Sequence, residues 1–425
     1  MDYIEIEGGV QLHGHVRVSG AKNAALPIMA SLLLTTGETR LRNMPRVRDV
    51  VTFGQLLQAL GATIRTDGSE LLVDTTAIDR FEAPYDLVKT MRASFLVLGP
   101  LLARYGQARV SLPGGCAIGP RPVNLHLKGL QALGARLELT QGYVNAWADQ
   151  LHGATITFPT PTVTGTEHLM MAAVLAAGTT TLRNAATEPH VQDLCRLLVD
   201  MGARIEGIGT HFLQIEGVER LSGARARVSP DHIEIGSFVG LAAVTRSELT
   251  IGDVIPEHLA IVRIMFERLG IFCDLEGDIL RVPAEQSMEI RMDVGGQIPK
   301  IDDGPWPLFP ADLTSIALVV ATQCRGTILI HEKMFESRMF FSDKLIAMGA
   351  RIVLCDPHRA VVVGPARLRG SVVESPDIRA GMAMLIAALG ADGRSEIHNI
   401  GQIERGYERI DARLRELGAA IERVD

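Results

Sequence analysis

A chain of 425 residues with 47% hydrophobic content is long enough to bury two sizeable cores, so two domains are expected. Its formal net charge of -7 argues against nucleic acid or an anionic membrane as a partner, while leaving room for a locally basic cleft. Five cysteines (Cys116, Cys195, Cys273, Cys324 and Cys355) show no C-x-x-C pair and no His-rich spacing, which points away from a zinc site or a disulfide framework and toward a reducing compartment.

Along the chain, Met1-Asp2-Tyr3-Ile4-Glu5-Ile6-Glu7-Gly8 lacks a basic region followed by an apolar core, and no apolar run reaches the roughly 18 residues needed to span a bilayer. A soluble, cytoplasmic protein without membrane insertion is expected. From there a phrase of helix end, Leu/Met-Gly-Ala turn and strand recurs roughly every 70 residues. The copies run over 56–66, 127–139, 194–206, 262–275, 344–354 and 413–424. In each, apolar residues at helical spacing lead to a Gly suited to positive φ, and an alternating strand such as Ala135-Arg136-Leu137-Glu138-Leu139 follows. A second phrase, an Ala/Leu-rich helix, a polar turn and a short strand, recurs in the same order over 32–43, 98–112, 171–184, 239–252, 316–331 and 384–399.

Helices predicted over 167–177 and 381–389 are apolar nearly all round and must form internal layers. Six mixed α/β units divide as three plus three, with Val228-Ser229-Pro230-Asp231 between the third and fourth, where Pro stops regular structure. The strands within residues 1–18 precede the first unit and are free to complete the last one. The expected domains are therefore 20–229, and 1–19 together with 230–425, joined by a double hinge near Ser19-Gly20 and Ser229-Pro230.

The segment Leu112-Pro113-Gly114-Gly115-Cys116-Ala117-Ile118-Gly119-Pro120-Arg121 places a lone thiol in a glycine- and proline-punctuated loop beside a guanidinium. A nearby Arg favours the thiolate, so Cys116 reads as a reactive residue rather than an inert one in a surface turn.

Seven ordered motifs then coincide: Ser19-Gly20-Ala21-Lys22-Asn23-Ala24-Ala25-Leu26-Pro27, Lys89-Thr90-Met91-Arg92-Ala93-Ser94, the Cys116 loop, Phe309-Pro310-Ala311-Asp312, Phe335-Glu336-Ser337-Arg338, Asp377-Ile378-Arg379-Ala380 and Arg405-Gly406-Tyr407-Glu408-Arg409. Across essentially its whole length the chain resembles the enolpyruvyl transferases, in particular those that act on a uridine nucleotide sugar. The resemblance implies an α/β (α+β) fold of two inverse α/β-barrel-like domains, each of three βαβαββ repeats, in agreement with the repeat count. It also implies two small-molecule substrates, phosphoenolpyruvate and UDP-N-acetylglucosamine, a place at the start of peptidoglycan synthesis, and no cofactor or metal.

Phosphoenolpyruvate carries a phosphate and a carboxylate on a small carbon frame, so its site needs several converging cations with planar donors for the acid group. Lys22, Arg92, Arg121, Arg338, Arg379 and Arg405 supply that set, three from each half of the chain, and closure of the halves is expected to assemble it. Lys22 and Arg121 are expected at the phosphate, and Arg338, Arg379 and Arg405 at the carboxylate. The resemblance places Arg92 and Asn23 at the nucleotide sugar and Asp377 among the substrate-binding residues. It assigns proton donation to C3 of the enol, and a covalent phospholactoyl adduct, to Cys116. Asp312 is the expected acceptor of the sugar hydroxyl proton, with a helix N-cap as its alternative or concurrent role.

For the nucleotide, the matching segment is Arg121-Pro122-Val123-Asn124-Leu125, with Thr162-Val163-Thr164-Gly165 opposite and Met334 near the ribose or sugar. Asn124 stands where many members have Asp, yet its amide offers both donor and acceptor to a uracil edge. Thr160, His232 and Arg48 are further departures, from Lys, Arg and Lys respectively. Two other readings remain open: the shikimate-pathway enolpyruvyl transferase, against which the Cys116 loop argues, and a nucleotide-sugar sensor that kept the scaffold and lost turnover.

Overall fold

The computed structural model of the chain describes residues 2–67, 70–113, 119 and 121–424. Cys116, with most of its loop, lies outside the described residues.

The two repeating phrases build six four-stranded sheets of a single pattern. A short edge strand runs parallel to a second strand, and the second is antiparallel to a third, itself antiparallel to the far edge strand; the last two form a hairpin in five sheets, and in the sixth they come from the two ends of the chain. Glu82–Ala83 thus lies parallel to Gln107–Ser111, which pairs with Tyr143–Trp147, which pairs with Arg136–Thr140. Where the edge strand directly precedes the second in the chain, helices or helical turns join the first strand to the second and the second to the last two, giving βαβαββ. The helix that precedes the far edge strand ends in every copy on a glycine: Gly61, Gly134, Gly202, Gly270, Gly349 and Gly418 all have positive φ, between 74° and 111°. A Cβ is disfavoured in that conformation, which is why the same small residue recurs at this one place.

A second device marks the end of the second strand in three copies. Asn43, Asn184 and Asn399 adopt φ of 56–58°. Their side-chain amides donate to the carbonyls of Val228, Phe158 and Ser375, tying each turn to the chain beside the parallel edge strand.

The described residues form two units, 20–229 and 2–19 with 230–424, except that Gly119 groups with the latter. The N-terminal strands serve the second of these. Tyr3–Glu7 pairs antiparallel with both Arg394–His398 and Ala420–Val424 and so completes the sixth sheet, while His13–Arg17 is the parallel edge beside Glu248–Gly252. In the other unit Arg225–Arg227 runs parallel to Glu38–Arg42, so the last residues of that unit complete its first sheet.

Each unit has its own hydrophobic core. In one, the helices His232–Thr245, Thr314–Gln323 and Ile378–Leu389 pack on one another and are buried almost throughout. In the other, Lys22–Ser31, Leu98–Tyr105 and Val163–Ala173 take the inner positions. Val163–Ala173, His232–Thr245 and Thr314–Gln323 are enclosed on every side and have no wet face, which accounts for their lack of amphipathic patterning, whereas Leu98–Tyr105 keeps a half-buried last turn. The helix expected over 167–177 begins earlier, at Val163, because Thr162 caps it: its side chain accepts from the Gly165 amide at 3.3 Å. It ends at Ala173, short of the expected limit. Among the described residues no helix is long and apolar enough to cross a membrane.

Candidate functional site

In the unit of residues 20–229, Lys22 is the first residue of a core helix and is only 9% exposed. Its ammonium lies 2.7 Å from Asp49 Oδ2, itself buried in the first turn of Arg48–Ala59. Asn23 follows, half-buried. A lysine this far from water needs such a partner, and the carboxylate holds the ammonium in one place.

Arg92 opens the helical turn Arg92–Val97 and donates to the backbone carbonyls of Arg121 and, at 3.3 Å, Pro122. It thereby fixes the entry to the helix Asn124–Ala132, in which Val123 is buried, Arg121 and Leu125 are half-buried, and Pro122 and Asn124 are exposed. Thr162, Val163 and Thr164 are half-buried at the start of their helix, and Gly165 is buried where a Cβ would come within 2.5 Å of the Thr162 side chain. Three segments distant in sequence meet here. Arg92, Phe95, Leu96, Val123, His126 and Thr164 line one small cavity.

In the unit of residues 2–19 and 230–424, Asp312 sits in the helical turn Ala311–Leu313. The helix that follows, Thr314–Gln323, has no side-chain cap, so the N-cap role considered for Asp312 is not the one it plays. Both carboxylate oxygens are taken instead by guanidiniums. Arg338 Nη2 donates to Oδ1 at 3.1 Å, and Arg379 donates to Oδ2 through Nε at 3.1 Å and Nη2 at 3.0 Å. Arg338 and Arg379 are 3% and 4% exposed. Arg338 also has Glu332 Oε2 3.5 Å from its Nε and stacks over Phe335, and Arg379 stacks over Tyr407. Burial acts to pull the Arg379 guanidinium down, but Tyr407, Asp312 and Asp231 together hold it above its ordinary value, so the charge is secure.

Asp377 caps Ile378–Leu389, accepting from the amides of Arg379 at 2.8 Å and Ala380 at 3.0 Å. It thus sets the backbone from which Arg379 projects. Arg405 is half-buried, with Nη1 donating to Gln402 Oε1 at 3.2 Å, and Tyr407 lies two residues beyond it. Met334 is 39% exposed, and its amide donates to Glu332 Oε1 at 3.1 Å.

The structure therefore brings Asp312, Arg338 and Arg379 into one ion cluster, and Arg92 onto the segment that begins at Arg121. Several neighbours of these residues escape a sequence reading. Asp49, Glu332, Asp231 and Tyr407 are buried partners of the cations, and His126, His168 and Phe95 form the floor beneath Thr164. The available signal was a polar residue inside an otherwise apolar helix, as with His168 in Glu167-His168-Leu169-Met170-Met171. Asp231 caps His232–Thr245, accepting from Ile233 at 2.9 Å. Burial pushes its carboxyl up to about 6, against the pull of Arg379 and with help from Glu234 and Asp312. Burial likewise raises Glu332 and Glu167, the latter also through Glu188.

Two buried guanidiniums that share one carboxylate have the donor geometry to take up a second small acid, and a capped helix start beside Arg92 has the chemistry for an acceptor-rich ligand. Residues 6–414 match the family model of EPSP synthase (3-phosphoshikimate 1-carboxyvinyltransferase). The chain is 54% identical over 420 residues to a UDP-N-acetylglucosamine 1-carboxyvinyltransferase of Bradyrhizobium diazoefficiens, covering 99% of this chain and 97% of that one. It is 51% identical to the protein of the same name in Treponema denticola, over 99% of both. Among solved structures, the enolpyruvyl transferase NikO from Streptomyces tendae superposes with a TM-score of 0.89 at 26% identity over 100% of this chain and 99% of that one. EPSP synthase from Acinetobacter baumannii shares the fold, at a TM-score of 0.76 and 16% identity over the whole of both chains.

Proposed function

Because the chain belongs to the EPSP synthase family of enolpyruvyl transferases, and within it to the group of its UDP-N-acetylglucosamine 1-carboxyvinyltransferase relatives, we propose that it moves the enolpyruvyl group of phosphoenolpyruvate to the 3-hydroxyl of UDP-N-acetylglucosamine and releases phosphate. The observation that carries the reading is the cluster of Asp312, Arg338 and Arg379, in which one carboxylate and two planar cations stand ready for a substrate carboxylate.

In this reading the sugar 3-hydroxyl attacks C2 of the enol while C3 takes a proton from Cys116, and Asp312 accepts the hydroxyl proton. The tetrahedral intermediate then loses a proton from C3 as the C2–O bond to phosphate breaks. Lys22 and Arg121 offset the charge of the departing phosphate, with Arg405 beside Arg338 and Arg379 on the carboxylate side. Both oxygens of Asp312 are engaged by three charge-assisted hydrogen bonds from Arg338 and Arg379. A substrate carboxylate that engages Arg338 and Arg379 draws them from Asp312, so the binding of phosphoenolpyruvate itself releases the base. The nucleotide is read by residues 121–125 and 162–165, with Met334 a candidate for the ribose or sugar. Such an activity belongs in the cytoplasm, at the start of peptidoglycan precursor synthesis, and an epoxide phosphonate such as fosfomycin would alkylate Cys116.

The test is phosphate release from phosphoenolpyruvate with UDP-N-acetylglucosamine and shikimate 3-phosphate as parallel acceptors. Release only with the nucleotide sugar is expected. Equal release with shikimate 3-phosphate, or none with either, would overturn the assignment.

A further inference from the structure

Beneath Thr164 lies a chain of polar contacts made by two buried histidines. The Gly99 amide, in the first turn of Leu98–Tyr105, donates to His168 Nε2 at 2.7 Å. His168 Nδ1 is 3.0 Å from His126 Nδ1, and His126 Nε2 is 3.3 Å from Thr164 Oγ1. Both rings are enclosed, His168 at 0% and His126 at 3% exposure, and Phe95 packs against each with centroids 5.7 Å away.

The first donor in this chain sets every later proton. An amide N–H can only donate, so His168 Nε2 is the bare nitrogen and the ring carries its proton on Nδ1. That proton faces His126 Nδ1, which must then be bare, leaving the His126 proton on Nε2. Thr164 Oγ1 accepts from it, which leaves the threonine's own hydrogen free to be donated, and Thr164 lines a cavity with Arg92 and Val123. A second proton on either ring would set two donors face to face, so both histidines are neutral. Burial acts the same way, lowering His168 to about 3 and, with His168, Arg92 and Arg121 around it, holding His126 well below the ordinary imidazole range. Gly99 is required for the approach, since a Cβ there would fall 2.7 Å from His168 Cδ2.

We infer that His168 and His126 form a one-way hydrogen-bond relay that locks the Thr164 hydroxyl as a donor toward an acceptor oxygen of the bound nucleotide, which makes Thr164 a specificity-determining residue and the two histidines its positioning residues. The inference rests on the nucleotide-sugar reading above. An unlocked hydroxyl would donate or accept with equal ease, whereas the relay excludes a ligand that presents a donor at this point. His168 touches no ligand in this scheme. Its loss lets His126 move its proton to Nδ1 and accept from Thr164, which cancels the donor.

Two measurements test it. Long-range 1H–15N spectra of the histidine-labelled protein, assigned with His126→Gln and His168→Gln, should show His168 protonated on Nδ1 and His126 on Nε2, with neither titrating between about pH 5 and 8. The other tautomer at His126, or its titration in that window, would overturn the relay whether or not the enzyme turns over. In kinetics, Thr164→Val should raise KM for UDP-N-acetylglucosamine about tenfold, the loss expected for a hydrogen bond to a charged or strongly polar oxygen, with kcat within about twofold and KM for phosphoenolpyruvate unchanged. Thr164→Ser should restore the wild-type value. His168→Val should reproduce the same split, and should that variant fail to fold, the Val and Ser pair at 164 decides. Calorimetry with UDP and with uridine names the oxygen: weakening confined to UDP assigns a phosphate, weakening of both assigns the nucleoside, and weakening of neither overturns the inference. Wild-type protein that fails to turn over UDP-N-acetylglucosamine would sink the functional reading, while the spectra still decide the relay.

Discussion

Replacing Asp312 by Asn separates the two jobs given to this residue, holding two guanidiniums and accepting a proton. The Arg338 and Arg379 side chains are 2% and 5% exposed, and the Asp312 side chain 26%. Removing one partner from a buried ion cluster costs about 3–5 kcal/mol. Part of Asp312 is solvated and the Asn oxygen still accepts one hydrogen bond, so a loss of about 2–3 kcal/mol is expected. For a unit of roughly 200 residues that corresponds to a melting temperature lower by about 5–10 °C. Phosphoenolpyruvate would supply the carboxylate that Asn lacks, without having to compete for the arginines. At one fixed concentration it should therefore raise the melting temperature of Asp312→Asn more than that of the wild type, while kcat falls by about two to four powers of ten through loss of the base. Scanning calorimetry with and without phosphoenolpyruvate, beside a phosphate-release assay, measures all three quantities. A variant that melts with the wild type, or that gains less from the ligand, would refute the ion cluster as the carboxylate site.

Fosfomycin should label Cys116 alone and inactivate the protein, and Cys116→Asp should retain some turnover while escaping inhibition, as read by peptide mass spectrometry and activity. The internal control is Cys355, which the structure leaves exposed. Burial pushes the thiols of Cys195, Cys273 and Cys324 up to about 12, so label on any of these four would refute selectivity. Gly99→Ala should destabilise by about 1–2 kcal/mol in urea titration, because overpacking against His168 outweighs the roughly 1 kcal/mol that Ala gains over Gly in a helix. A stabilised variant would refute the close contact. Asp231 is an acid raised in the folded state, so its contribution is full below the unfolded value of about 4 and is lost as pH rises through about 6. Asp231→Asn, which keeps a good cap, should show a flatter stability profile across that window, and an unchanged slope in pH-dependent unfolding would count against the burial argument.

Much of the architecture is legible in the chain because its signals are local. A glycine needed for positive φ at Gly61, Gly134, Gly202, Gly270, Gly349 and Gly418 repeats with its helix and strand, and the surplus strands before residue 19 foretell that the N-terminus completes another unit. The motifs around Lys22, Arg92 and Arg121 in one unit, and around Asp312, Arg338, Arg379 and Arg405 in the other, likewise mark cation-rich segments from residue types alone. Tertiary structure decided what each of these groups holds. Asp312 and Arg379 are 67 residues apart in the chain, so no local pattern tells that one carboxylate takes two guanidiniums rather than capping the helix that begins beside it. His168 reads as an interruption in an apolar helix, and it acquires its partners only when Leu98–Tyr105 and Asn124–Ala132 both pack against Val163–Ala173 and bring an amide donor and a second imidazole to its two nitrogens. Backbone preference and periodicity act within a few residues, whereas the tautomer of a buried ring and the partner of a buried charge are set by whichever donors the fold carries to them across the core.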